Sequence, residues 1–165
     1  MNKHLTPEYW MKIVSQIAEA STCRVKIGCI LVRRNHIQGV GYLGSVSGQP
    51  HCDDVGCLYV HAPHQGTDSG DESCIRTVHA EMNAVLDYGM KTVGDQTNIP
   101  GRLFCFSTYS PCLNCFKALL QIGVRRFNYE RIYRDEWRDK LLLEIRESTD
   151  EQHKPFVDRL HFLLI

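Results

Sequence analysis

Two short segments hold the residues best suited to chemistry: His79-Ala80-Glu81 and Pro111-Cys112-Leu113-Asn114-Cys115. Cys112 and Cys115 stand three apart, so at the start of a helix both thiols share one face. His79 opens another helix. One imidazole and two thiolates suit zinc and leave its fourth tetrahedral position open, which separates a catalytic zinc from a closed structural one. Both half-sites fall at helix N-termini, where the dipole favours thiolates and a metal-bound hydroxide. Zinc can bring the pKa of bound water to about 7. Along a regular helix Glu81 would point away from His79, but in the first turn both side chains reach a site beyond the helix end. There a carboxylate can take a proton from water and hand it to a substrate. A zinc knuckle that only stabilises the fold would account for a lone C-x-x-C. It does not account for a glutamate two residues after the histidine, or for a helix start at each half-site.

The elements that must position these groups follow from periodicity and punctuation. Thr6-Pro7 reads as an N-cap with proline at the first helical position. Trp10, Ile13, Val14, Ile17 and Ala18 then recur at helical spacing, and Ser21-Thr22 closes the helix. Apolar runs at 27–32 and 37–42, separated by Arg33-Arg34-Asn35-His36, predict a β-hairpin. Residues 78–88 read as a helix with Val78, Met82, Val85 and Leu86 on one face and Gly89 at its end. Strands follow at 102–107 and 124–129, with a helix at 111–122 between them, and Gly123 at its C-terminal end. Residues 135–147 form a charged, solvated helix with Trp137, Leu141 and Ile145 facing in, and 160–165 a last strand. The order αββ(loop)αβαβαβ predicts an α/β fold: one mixed sheet with helices on both faces, in a single domain over 1–165.

Residues 43–75 show no strong periodicity. A structureless stretch of this length is usually functional or cross-linked. Cys23, Cys52, Cys57 and Cys74 fall around it, with His51, His61 and His64 nearby. A second zinc held by these four cysteines would close a structural site and pin the loop; the alternative is that one or two are merely buried thiols. Cys29 and Cys105 sit in apolar strands and read as core. Eight cysteines in a chain with no signal-peptide core or apolar span point to a cytoplasmic protein whose thiols serve metals or packing rather than disulfides. The 19 basic and 19 acidic residues cancel, which favours a small-molecule substrate over a nucleic-acid polymer.

The H-x-E and P-C-x-x-C pair is the signature of the zinc deaminases, which act on nucleobases. The likeness extends further. Residues 77–84, 108–115 and 122–124 resemble the deoxycytidylate (dCMP) deaminase family, as do Ser21-Thr22-Cys23-Arg24, Ile27-Gly28-Cys29-Ile30, Gly41-Tyr42-Leu43-Gly44-Ser45, Gly48 and His51-Cys52. The resemblance covers roughly residues 5–130. It implies the cytidine deaminase-like three-layer fold, with a central mixed five-stranded sheet. It implies zinc on His79, Cys112 and Cys115, with Glu81 as the proton carrier. It also implies hydrolysis of dCMP to dUMP and ammonia, which supplies thymidylate synthesis, in a homo-oligomer, often a hexamer, with dCTP and dTTP as effectors. The family usually reads Gly-Tyr-Asn-Gly where this chain has Gly41-Tyr42-Leu43-Gly44, and leucine cannot supply the amide's hydrogen bonds. Effector control or the sugar contact is then altered, or catalysis is lost.

Further substrate contacts are Ser110, through its backbone or hydroxyl, and Tyr129 and Tyr133 past the fourth strand. A phosphate needs a cation or a helix N-terminus, for which Arg24, Lys26, Arg131 and Arg134 are candidates. Asn83 is a helix-surface residue or a support for the site. Two other readings stay open: deamination of a modified dCMP or another nucleobase or nucleoside, and a catalytically silent zinc protein that senses nucleotides.

Overall fold

Thr6 opens the first helix as expected: its hydroxyl accepts the Tyr9 amide at 3.3 Å, with Pro7 at the first helical position. The computed structural model describes residues 5–60, 73–92, 102–133, 135–147 and 161–165. His61, His64, Arg134 and the middle of the long loop lie outside these. In chain order the elements are α1 (Pro7–Ala18), β1 (Gly28–Arg33), β2 (His36–Tyr42), β3 (Gly44–Ser45), α2 (Cys52–Val55), β4 (Tyr59–Val60), β5 (Ser73–Cys74), β6 (Thr77–Val78), α3 (Ala80–Thr92), β7 (Leu103–Tyr109), α4 (Leu113–Gln121), β8 (Val124–Arg131), α5 (Glu136–Glu147) and β9 (His161–Leu164).

Five strands form one mixed sheet in the order β2-β1-β7-β8-β9. β1 and β2 make the expected hairpin. Arg34 and Asn35 both take positive φ, 51° and 63°, the backbone that lets a tight turn follow the strands' twist. β1 runs antiparallel to β7, while β7, β8 and β9 are parallel. Alternation along β1 divides the core. Ile30 and Val32 meet Trp10, Met11 and Val14 of α1 on one face. Cys29 and Leu31 meet Ala80 and Ala84 of α3 and Phe116 and Leu119 of α4 on the other. Leu141, Leu142 and Ile145 of α5 cover the same second face. Helices therefore lie on both sides of the sheet. Among the described residues no helix is long and apolar enough to cross a membrane.

Helix α3 lies directly on the β2 backbone. A Cβ at Gly41 would stand 2.1 Å from the Ala80 carbonyl oxygen and 2.4 Å from the Ala84 nitrogen; one at Gly39 would stand 2.4 Å from the Ala84 oxygen. This contact sets the helix's rotation, with Ala80, Ala84 and Tyr88 toward the sheet. Leu86, expected inside, is therefore 55% exposed. Val78 belongs to β6 rather than to the helix, and the helix passes Gly89 to reach Thr92. Trp137, also expected inside, is 53% exposed and lies beside the Lys140 ammonium, 5.8 Å from its ring centre. The long loop gains four short elements, with β3 paired to β6 and β4 to β5.

Gly41→Ala will push α3 off the sheet and destabilise the protein by about 1–3 kcal/mol or more, the range for overpacking. Gly89→Ala will do the reverse: its Cβ meets nothing within 4 Å, and alanine favours the helix by roughly 0.5–1 kcal/mol. Urea unfolding of the two variants beside wild type measures both.

Candidate active site

The two half-sites meet as their spacing requires. His79 directly precedes α3, and its carbonyl accepts the Asn83 amide, so it occupies the N-cap. Cys112 is the N-cap of α4, and Cys115 sits in that helix's first turn. The His79 Nδ1 is 3.5 Å from the Cys112 Sγ and 3.4 Å from the Cys115 Sγ. All three atoms lie within 4.8 Å of one another. Both cysteines and Glu81 are buried, Glu81 with 4% exposure. A nitrogen and two sulfurs facing one point fit zinc by donor type and by number, with one tetrahedral position left for water or substrate. The site lies beyond the carboxyl end of β7, where parallel strands commonly open onto a ligand.

The charges support this assignment. Among the protein groups alone, Cys112 is the more acidic thiol, lowered to about 4, first through its hydrogen bond with Cys115 and then with His79. The Cys115 thiol is pushed up, chiefly by the same bond with Cys112. His79 is raised by its bond to Cys112, against the opposing effect of burial. Burial raises the Glu81 carboxyl above its ordinary 4.5, while His79 pulls the other way. A carboxyl displaced in that direction is readier to carry a proton near neutral pH.

A second cluster forms in the long loop. The Sγ atoms of Cys23, Cys52 and Cys57 lie within 4.8 Å of one another, and Cys52 is 3.7 Å from Cys74. Cys23 and Cys57 are 3.9 Å apart. All eight cysteines are free thiols. Leu43, the departure from the family pattern, is 7% exposed and packs with Cys23 and Cys52. Cys29 and Cys105 are core residues as expected, their sulfurs 3.6 Å apart across β1 and β7.

The other candidates are scattered. Ser110 is buried, and its hydroxyl donates to the Tyr133 carbonyl and accepts from the Tyr133 amide and the Arg138 guanidinium. Tyr129 lies within β8, which runs two residues further than expected, opposite Ser107 and Leu164. Tyr133 follows that strand, half-buried. Arg24 is exposed, 5.4 Å from the Tyr59 ring centre, and the exposed Lys26 donates to the Ser21 carbonyl. Arg131 donates to the Tyr109 hydroxyl at 3.2 Å. Asn83 donates to the Tyr42 carbonyl at 2.8 Å and so ties α3 to the corner that leads to Leu43. Sequence reasoning missed Asp135 and Arg138, both buried at the start of a helix expected to be solvated. An aspartate before a helical run is a readable N-cap; that it reaches a second helix depends on tertiary structure.

Because burial raises the folded-state pKa of Glu81, ionising it costs stability once the pH exceeds the ordinary value of 4.5. Below that value both states are protonated and the cost disappears. In metal-free protein Glu81→Gln will therefore raise the thermal midpoint at pH 7, and the gain will shrink as the pH falls toward 4.5. Thermal melts across that range check the sign.

Comparison with known proteins agrees with this geometry. Residues 5–131 match the family model described as cytidine and deoxycytidylate deaminase zinc-binding region. ComE operon protein 2 of Bacillus subtilis is 33% identical over 88% of this chain and 69% of its own length. The deoxycytidylate deaminase of Schizosaccharomyces pombe is 31% identical over 89% of this chain, which spans only 44% of that protein. The dCMP deaminase of cyanophage S-TIM5, solved with dCMP and dUMP, shares the fold at a TM-score of 0.63 and 23% identity, over 100% of this chain and 99% of that one. With its two half-sites joined as described, the chain belongs to the cytidine and deoxycytidylate deaminase family.

Proposed function

We propose that this chain is a cytosolic, zinc-dependent dCMP deaminase that converts dCMP and water to dUMP and ammonia, the dUMP feeding thymidylate synthesis. The observation that carries the reading is a buried carboxylate, Glu81, held beside the converging donors His79, Cys112 and Cys115. dCMP is favoured over other cytosine compounds because several of the similar proteins bear the name deoxycytidylate deaminase. A zinc ion in such a site supplies a nucleophilic hydroxide at neutral pH. His79, Cys112 and Cys115 would hold it. Glu81 accepts a proton from the water that attacks C4 of the cytosine ring. It delivers that proton to N3, then takes the proton of the new C4 hydroxyl and passes it to the amino group, so the C4–N bond breaks, ammonia leaves and C4 keeps the oxygen as a carbonyl. The buried wall around Glu81 keeps bulk water from competing for that proton. Ser110, Tyr129 and Tyr133 on the base side, and Arg24 and Lys26 toward the phosphate, are the substrate contacts in this reading. Assembly into a homo-oligomer and response to dCTP and dTTP belong to the same proposal.

The second cysteine cluster enters the proposal as a structural zinc on Cys23, Cys52, Cys57 and Cys74. Its support is the convergence of the Cys23, Cys52 and Cys57 sulfurs, with Cys74 beside Cys52. Leu43, packed against them, then works in holding this cluster rather than in contacting nucleotide.

Glu81→Gln will lower kcat for dCMP by about 100- to 10,000-fold, the usual contribution of a general acid–base group, while the protein keeps its zinc. Activity near wild type in that variant would rule out the assigned proton carrier. Metal analysis will give two zinc ions per chain, and Cys52→Ser will lose one of them while the other remains. A single ion in wild type would remove the structural zinc and leave the catalytic one in place.

A further inference from the structure

Beyond the zinc donors and Glu81, the described residues contain one other buried charged network, and it sits directly behind the two thiols. Cys112 occupies the N-cap of α4, yet its side chain makes no capping bond. An N-cap side chain ordinarily accepts one of the helix's free amides. Here the thiol faces His79 instead, so the cap must come from elsewhere. Asp135 provides it. One carboxylate oxygen of Asp135 accepts the Leu113 amide, the first of α4, at 2.7 Å. The other accepts the Arg138 amide of α5 at 2.9 Å. A single side chain, 2% exposed, thus caps two helices and joins their N-termini. Both positive helix ends favour the charge it carries.

Arg138 completes the clamp. Its guanidinium donates to the Ser110 hydroxyl and to the Pro111 carbonyl, each at 2.9 Å. Asp139 balances its charge at 2.7 Å. The Ser110 hydroxyl in turn takes the Tyr133 amide at 2.8 Å, and the Ser110 amide donates to the Arg131 carbonyl at 2.8 Å. Every residue from Ser110 to Leu113 except Cys112 is therefore held by a bond from the segment 131–138, and Cys112 is left with its sulfur directed at the site.

We propose that Asp135 and Arg138 are positioning residues for the two-thiol half of the zinc site. They fix the loop that carries Cys112 and relieve its side chain of the capping task, so that the thiol is preset for the metal. Neither residue touches substrate or zinc in this assignment. It rests on the zinc reading of the site but not on the identity of the nucleotide, and its test needs no substrate.

The test is the rate at which zinc-loaded protein gives up its more labile ion to a chromogenic chelator. Groups that orient metal ligands typically contribute 10- to 100-fold in metal affinity. Asp135→Asn keeps only one of the two acceptors and will release zinc about 10- to 100-fold faster than wild type. Arg138→Met will behave alike. Arg138→Lys, which retains a charge but not the planar fork, will fall between. Val14→Ala, a core truncation on the opposite face of the sheet, lowers general stability and will release zinc at the wild-type rate. If Asp135→Asn does not fold, Ser110→Ala carries the test, since it removes only the hydroxyl that Arg138 grips; faster release supports the clamp and unchanged release overturns it. Equal release rates for Asp135→Asn and Val14→Ala would likewise overturn it, because the network would then serve only the fold.

Discussion

Three donor atoms, drawn from the N-termini of two helices far apart in sequence, have to meet within 4.8 Å, with a buried carboxylate in the first turn of one of them, and the meeting of those two helix ends governs the rest of the structure. α3 is set by the β2 glycines, which let its backbone press onto the sheet closely enough that no Cβ fits between. α4 is set by the β7–α4–β8 crossover and by Phe116 and Leu119 in the core. A helix that rotated by one residue would carry either His79 or the cysteine pair away from the common point. The positive ends of both helices then favour the anionic thiolates that a metal needs.

The remaining features fall into place as supports. The capping bond that Cys112 gives up is supplied by Asp135 from another helix. The described part of the long loop packs Leu43, Cys52, Cys57 and Cys74 around Cys23. That loop returns through β5 and β6, and β6 leads straight into His79. The second cluster is thus only a few residues from the first, and whatever fixes Cys74 also limits where His79 can stand.

Much of this was legible in the sequence because it depends on short spacings. His79 with Glu81, and Cys112 with Cys115, carry their geometry within one helical turn. The hairpin, the capped first helix and a mixed sheet follow from local periodicity, while the count of five strands is what the family resemblance implies. What failed depends on contacts between elements. Leu86 and Trp137 read as core because each fits an apolar stripe, yet the rotation of α3 is fixed by Gly39 and Gly41, which no helical pattern records. Asp135 and Arg138 read as solvated because a charged run usually is; only the nearness of α4 makes them internal. Leu43 read as a lost polar contact, and its packing among cysteines became visible once the loop had a shape.

Ammonia release by zinc-loaded protein offered dCMP, deoxycytidine, dCTP and 5-hydroxymethyl-dCMP decides whether this site deaminates dCMP. Stoichiometric ammonia and dUMP from dCMP, at a rate above that for deoxycytidine and dCTP, is the predicted result. No ammonia from any of the four, from protein whose zinc is confirmed on the same sample, would contradict it.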